Sequence, residues 1–485
     1  MSNLSELLPA GAGAKSADFV ASGTLGSGVT VGLNSNGTVS VISESAAVLS
    51  SAVDPAGTNG VGNSYFSTSS DWNPNTNKVI VGIINNSGGA GIIYCGTVSG
   101  TTITFGSGFN ATNGTANVLD VKWDLSQTNV FVYAIARDPY YFGEAFIGQV
   151  SGTTISGGTG VNFSNWDPFV YTNPIRWMNL QRNANTGKLV VFYSPPDNSY
   201  YGTAKVLTLT GTTNISAGSA TVFSSATTSY FRSSDSNTSK VVVSYYDNSG
   251  SQFKVGSISG TSISFGAATT LFSGGFSYGD IDYSPVADKF LAAPRESSGL
   301  SGQVFLGTIS GTSITFSSGV VYDATGADYT QVNYNSGNNT FQINYRALNS
   351  SSHLKSVTAT VSGDSVSVST PYTIESNSTS QTTSVYAGSY DVFIVGYRVT
   401  ATARFNVKTY RPSSSNNTDF IGITDQAIAN TATGAVIVQG GVSDKVTGLT
   451  TGSDYYVQAN GTLSTTVSSV PAGRALSSTS ILLEG

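Results

Sequence analysis

The stretch GTVSGTTITFG at 96–106 returns as GQVSGTTISGG at 148–158, GSISGTSISFG at 256–266 and GTISGTSITFS at 307–317. Weaker copies are TLTGTTNIS (208–216) and ATVSGDSVSVS (359–369). The turn glycine recurs as Gly100, Gly152, Gly211, Gly260, Gly311 and Gly363, roughly fifty residues apart each time. A second phrase advances with it, an Asp/Asn-rich corner followed by an apolar run. Its copies are DWNPNTNKVIVGI (71–83), DLSQTNVFVYAI (124–135), NANTGKLVVFY (183–193), DSNTSKVVVSYY (235–246), SPVADKFLAA (284–293) and NSGNNTFQINY (335–345). A divergent seventh is YAGSYDVFIVGY (386–397). Two anchors moving together define a repeated unit.

Each unit holds four short runs of β-branched and aromatic residues with period-two alternation, the signature of strands. In the second unit these fall near 117–123, 129–136, 144–150 and 153–157. The Gly/Asn/Asp/Ser turns between them are those of tight hairpins. Four antiparallel strands repeated about seven times predict an all-β chain built on a seven-bladed β-propeller of four-stranded blades. A β-solenoid is the rival, but its repeats are normally shorter than about 30 residues. The last unit lacks a TTITFG-like strand after ARFNVKTY (403–410), whereas TVSVISESAAVL (38–49) reads like SISFGAATTLF (262–272). The N-terminal strand is therefore expected to complete the final blade.

The flanks resemble each other as well. LGSGVTVGLNSNGTVS (25–40) matches TTGSDYYVQANGTLST (450–465). The sequence thus divides into an N-terminal attachment arm and strand (1–37), the propeller (38–411) and a C-terminal β-module (412–485) to which residues 20–40 can add a strand. The propeller would then be an insertion, and the two roles compete for 38–42.

Composition excludes several classes. Of the 485 residues 10% are charged, against about 25% in ordinary soluble proteins. The net charge of −6 comes without a basic run, which argues against nucleic acid as a partner. No apolar stretch is long enough for a membrane-spanning helix. The N-terminus has no basic-then-apolar pattern, so no secretory leader is expected. One cysteine, Cys95, and one histidine, His353, leave no disulfide framework, no metal site and no Ser–His–Asp chemistry to expect. Cys95 reads as a buried or edge thiol and His353 as a solvated loop residue.

The blade phrases G-T-[IV]-S-G-T-[ST]-I-[ST]-F and W-N-P-x-T-N-K resemble repeat proteins of tailed phages, particularly phages of marine cyanobacteria. The opening MSNLSELLPAGAGAKSADFVASGTL is similar to the start of such virion proteins. The closing FIGITDQAIANTATGAVIVQGGVSDKVTGLTTGSDYYVQANGTLST is similar to C-terminal modules of phage tail fibres. The resemblance implies a virion surface protein, made in the host cytoplasm. It would be a tail-fibre or receptor-binding component, or alternatively a capsid decoration or knob without a receptor role. Its expected partners are other virion proteins of tail or capsid and a host surface glycan or protein. A homo-oligomer is expected, with no cofactor, no nucleic acid and no membrane insertion.

Two connections between second and third strands are strongly aromatic, DPYYFGE (138–144) and PPDNSYYGT (195–203), with VNFSNWDPFVYTNPIRWMN (161–179) between them. Tyr140, Tyr141, Phe142, Trp166, Tyr171, Trp177, Tyr200 and Tyr201 are the candidate receptor contacts, as flat rings with polar tips suit sugar stacking or protein contact. The alternative is that they pack the gaps between blades. An arginine recurs at the end of the second strand, Arg137, Arg295, Arg346 and Arg398, a candidate anion ring. Its competing reading is pairing with neighbouring carboxylates such as Asp138 or Glu296. An enzyme acting on polysaccharide is the least favoured function. It needs two carboxylates flanking one bond, and no pair stands out; Asp280 and Asp282 share a strand face, as solvated strand ends also do. No Asp-box pattern is present, and no catalytic residue is assigned.

Overall fold

The computed structural model describes residues 15–34, 36–57, 68–85, 89–112, 114–138, 142–164, 175, 177–272, 276–296, 301–348 and 351–484. The chain forms two compact units, Leu49–Arg411 and a second one made of Met1–Val48 with Pro412–Gly485.

In the first unit the corner phrases become hairpins. The residue ending the turn is left-handed in six of the seven, with φ of 54° at Asn77, 62° at Asn129, 63° at Gly187, 51° at Asp288, 55° at Asn339 and 50° at Asp391. In the fourth the left-handed residue is Asn237 (54°), inside the turn before Lys240. Asn, Asp and Gly tolerate that conformation at least cost. The first turn residue is held by its own side chain, as in Asn75 N–H to Asn73 Oδ1 at 3.0 Å and Gly337 N–H to Asn335 Oδ1 at 2.8 Å. The SGTT and SGTS turns place Gly100, Gly152, Gly260 and Gly311 at φ of 60°, 61°, 59° and 62°. Such a glycine at the first central position gives the hairpin turn whose twist matches its strands.

Among the described residues these hairpins build seven antiparallel sheets between Thr68 and Arg411. Their leading strands are Thr68–Asn73, Thr115–Trp123, Met178–Asn183, Ser229–Asp235, Phe276–Ser284, Ala327–Asn335 and Thr379–Ala387. Each leading strand packs against the next, and Thr379–Ala387 packs against Thr68–Asn73, so the row closes on itself. A closed row of sheets with first strands at the centre is a β-propeller. The second strands, such as Lys78–Ile84 and Lys188–Tyr193, are apolar on both faces because a sheet lies on either side of them. Ile80, Ile93 and Cys95 of the first sheet meet Leu119, Trp123, Phe131 and Tyr133 of the second. Val79, Val81 and Ile83 meet Ile394, Phe405 and Val407 of the seventh. A sequence with few charges follows, since these second strands meet almost no solvent.

The seventh sheet takes its outer strand from Val48–Leu49. The pairing continues through Ser50 N–H to Thr409 O at 3.0 Å and a reciprocal pair between Val53 and Val407 at 2.9 and 2.8 Å. The other end of the 38–49 stretch goes elsewhere: Val39–Val41 pairs with Thr30–Leu33 in the second unit.

That second unit contains two five-stranded sheets of the same topology. The first has the order Ser16–Val20, Thr433–Val438, Phe420–Thr424, Thr30–Leu33, Val39–Val41. The other has Val442–Ser443, Ile481–Leu483, Pro471–Ala475, Asp454–Val457, Leu463–Ser464. Their registers coincide: Gly32 opposes Ser40 as Tyr456 opposes Ser464, and Ile423 opposes Ile437 as Arg474 opposes Leu482. Both carry a register shift at the same place, between Val31 and Gly32 and between Tyr455 and Tyr456. Gly422 and Gly473 are equivalent, and a Cβ there would lie 2.1 Å from Ile437 O or 1.9 Å from Leu482 O. The module is a tandem duplicate, and the whole propeller occupies the connection that Thr465–Val470 makes in the second copy. The N-terminal segment expected to add one strand adds three.

Candidate binding face

In a meander of four strands, successive turns fall on opposite faces. The first-to-second turns are the same length in every sheet but the second. The second-to-third connections vary from the turn between Asp247 and Gly250 to the loop Ser194–Tyr200. Sheet-to-sheet connections on that same face vary from Thr228 alone to the segment 163–177. A constant frame with variable connections on one side is the usual arrangement of a binding scaffold.

Of the aromatic candidates, Tyr140, Tyr141, Trp166 and Tyr171 lie outside the described residues. Phe142 is half-buried, and its carbonyl accepts from Arg137 N–H at 3.3 Å. Trp177 is half-buried against Tyr230, with ring centroids 4.1 Å apart, and packs on the cores on either side of the third sheet. Its ring fills an inter-sheet gap. Tyr200 and Tyr201 are half-buried at the end of their loop. Ser199 and Tyr200 are both left-handed, with φ of 52° and 60°. Two consecutive non-glycine residues there are strained, and the surroundings hold them. Tyr200 N–H donates to Pro195 O at 3.0 Å, while Tyr200 O accepts from Thr228 N–H at 2.9 Å.

The four arginines separate. Arg137 Nε pairs with Glu144 at 2.8 Å, and its guanidinium stands 5.3 Å from the Phe146 ring centre, inside the second sheet. Arg295, Arg346 and Arg398 belong to the consecutive fifth, sixth and seventh sheets. Arg295 Nη1 lies 3.3 Å from Asp328 Oδ2, and Arg346 Nη2 meets the same oxygen. The Arg346 guanidinium covers the Tyr329 ring at 4.8 Å. Arg398 is buried, and that burial lowers its pKa while nearby Tyr329 pulls it up. Tyr329 is left-handed (φ 48°), within a register shift between Asp328 and Gln331. The same shift recurs between Ser229 and Arg232, Ser277 and Asp280, and Ser380 and Thr383. These bulges re-aim the leading strands where they reach the variable face.

Below them the leading strands line a polar central cavity of about 390 Å³ holding Asp71, Asp120, Asp280, Asp282, Lys122, Arg182 and Arg232. Its carboxylates bind the neighbouring sheet. Asp71 Oδ2 accepts from Trp123 N–H at 2.7 Å, Asp120 Oδ2 from Leu180 N–H at 2.7 Å, Asp280 Oδ2 from Val332 N–H at 2.9 Å and Asp282 Oδ2 from Tyr334 N–H at 2.7 Å. Asp280 and Asp282 thus share a strand face as inter-sheet braces. Periodicity alone does not reveal this, because each partner lies one repeat downstream.

Burial pushes the Asp280 carboxyl up to about 6, against the pull of Arg232 and the Val332 N–H. The folded state therefore holds this proton more tightly than the unfolded one. The contribution is complete below the ordinary carboxylate value and is lost as pH rises through about 6. The carboxyl carbon of Asp280 in NMR should titrate near that value; a midpoint near 4 would contradict the assignment.

Cys95 is buried, and burial pushes its thiol up to about 11, so no thiolate forms near neutrality. His353 is half-buried in a second-to-third connection, its carbonyl accepting from Ala347 N–H at 2.9 Å. Among the described residues no helix is long and apolar enough to cross a membrane.

Neither a family model nor a curated protein sequence matches the chain. Solved structures resemble it. A protein from Lactobacillus plantarum is 9% identical over 65% of this chain and 86% of that one, with a TM-score of 0.47. Sqt1 of Saccharomyces cerevisiae is 10% identical over 74% and 87%, with a TM-score of 0.42. The Dos1 propeller is 11% identical over 76% and 95%, with a TM-score of 0.43.

Proposed function

We propose that the chain is a surface protein of a tailed-phage particle whose propeller binds the host surface. The observation that carries the binding half is the contrast between constant turns on one face of the ring and variable connections on the other. The strained Ser199–Tyr200 pair lies on the variable side, and strain of that kind collects where a surface has a task. The central carboxylates hold neighbouring sheets together, which favours binding over hydrolysis. The phage half rests on the sequence resemblance of the blade phrases and of both termini.

Particles carrying the double change Tyr140→Ala and Trp166→Ala should adsorb to host cells about tenfold less well, the effect of losing one aromatic anchor or more. Unchanged adsorption would remove the aromatic sector from the site. A protein that co-purifies with empty heads and is dispensable for adsorption would be a capsid decoration instead.

A further inference from the structure

Deepening that binding reading, we infer that Arg295, Arg346 and Arg398 form a site for the carboxylate or sulfate of an acidic sugar on the variable face. Asp328, almost wholly buried, is the acceptor that two of these guanidinium groups share. Both arginines stay accessible, with side chains 26% and 23% exposed. Two buried donors at this corner, Arg346 Nε and Ser380 Oγ, have no hydrogen-bond partner. A buried donor left unpaired costs free energy that an arriving acceptor restores.

The repeat shows where that acceptor belongs. Asp328 opposes Arg346 across its hairpin, and Ser380 opposes Arg398 at the equivalent register position, each just before the bulge. Asp328 takes Arg295 from the preceding sheet and Arg346 from its own. Ser380 stands opposite Arg398 in its own sheet, and the repeat would set Arg346 of the preceding sheet on its other side. There the seventh sheet offers a hydroxyl where the sixth offers a carboxylate. An oxyanion from outside would give Arg346 Nε and Ser380 Oγ the acceptor they lack, held by guanidinium donors that bind oxyanions in pairs. The sugar ring carrying it would extend toward the variable connections.

The test uses the full chain at low ionic strength, with D-glucuronate, glucose 6-sulfate and neutral glucose titrated by calorimetry. Both anions, or one of them, should bind saturably while glucose does not. Arg346→Gln and Ser380→Asp should each weaken that binding about tenfold or more, the latter because its own carboxylate fills the site. Ser380→Asp should also keep or raise the melting temperature, which separates loss of the site from loss of the fold. Arg137→Gln, in the second sheet, should bind as the unchanged protein does. Absence of anion binding, full binding by Ser380→Asp, or an equal loss in Arg137→Gln would overturn the inference. The titration involves no cells, so its failure removes this site and leaves the adsorption test standing.

Discussion

A chain lacking Leu49–Arg411, with Val48 joined to Pro412 through a short glycine–serine link, should fold and unfold cooperatively as a small β-protein. The expectation rests on the duplicate topology. The second copy joins Leu463–Ser464 to Pro471–Ala475 by a short loop and needs no insert to reach the same strand order and register. In the first copy Ser45 opposes Ser414 and Glu44 opposes Ser415. The ends of the insertion therefore sit a strand spacing apart, about 5 Å, which a short link spans. The unit also has its own cores. One is built on Leu25, Val31, Val39, Ile428 and Val436, the other on Ile42, Ile437, Tyr455, Val457 and Ile481. Circular dichroism and thermal unfolding of the shortened chain decide the matter. An unfolded or aggregated product would show that the module depends on the ring.

Glu375→Ala should destabilise the propeller by about 3 kcal/mol, the scale of breaking a buried, hydrogen-bonded ion pair. Glu375 ends the outermost strand of the sixth sheet, and its carboxylate reaches into the seventh. It accepts from Tyr397 Oη at 2.8 Å and Lys408 Nζ at 3.2 Å, and from Asn377 N–H at 3.0 Å. Burial alone would raise its pKa; those donors and the Lys408 charge outweigh it and bring the group down to about 2. The stabilisation is therefore present above the ordinary glutamate value and is lost as pH falls through about 2. The difference in stability between the unchanged protein and the variant should shrink as pH falls from about 5 toward 2. A variant that melts with the unchanged protein at neutral pH would contradict the clamp. The preceding pair of sheets repeats it, with Asp323 accepting from Tyr345 Oη at 2.9 Å and lying 3.5 Å from Lys355 Nζ.

Local chemistry made much of this fold readable. Gly100 and its equivalents, and the Asn, Asp or Gly in each corner, mark turns because few other residues tolerate a positive φ. The resemblance between 25–40 and 450–465 follows from two copies of one hairpin, each closed alike by Thr38 on Asn36 and Thr462 on Asn460. Partners one repeat away were harder to read. Asp71 means little until Trp123 is known to lie beside it, and Asp328 gains two arginines only once the sheets stand side by side. The bulges hide for a related reason: Tyr329 and Gln381 are ordinary strand residues by type, and tertiary packing holds them left-handed. The boundary within 38–49 stayed open, with two roles competing for 38–42, because Val39–Val41 and Val48–Leu49 alternate alike while serving different sheets. Arginine recurrence was visible, but not the separation of Arg137 from the other three.

The most direct test of the central claim is competition for host cells. Cells are preincubated with purified full-length protein or with the chain lacking Leu49–Arg411, and particle adsorption is then measured. The full chain should block adsorption saturably, and the shortened chain should leave it unchanged. Equal blocking by both would place the binding surface in the duplicated module, and blocking by neither would contradict a host-binding role for the propeller.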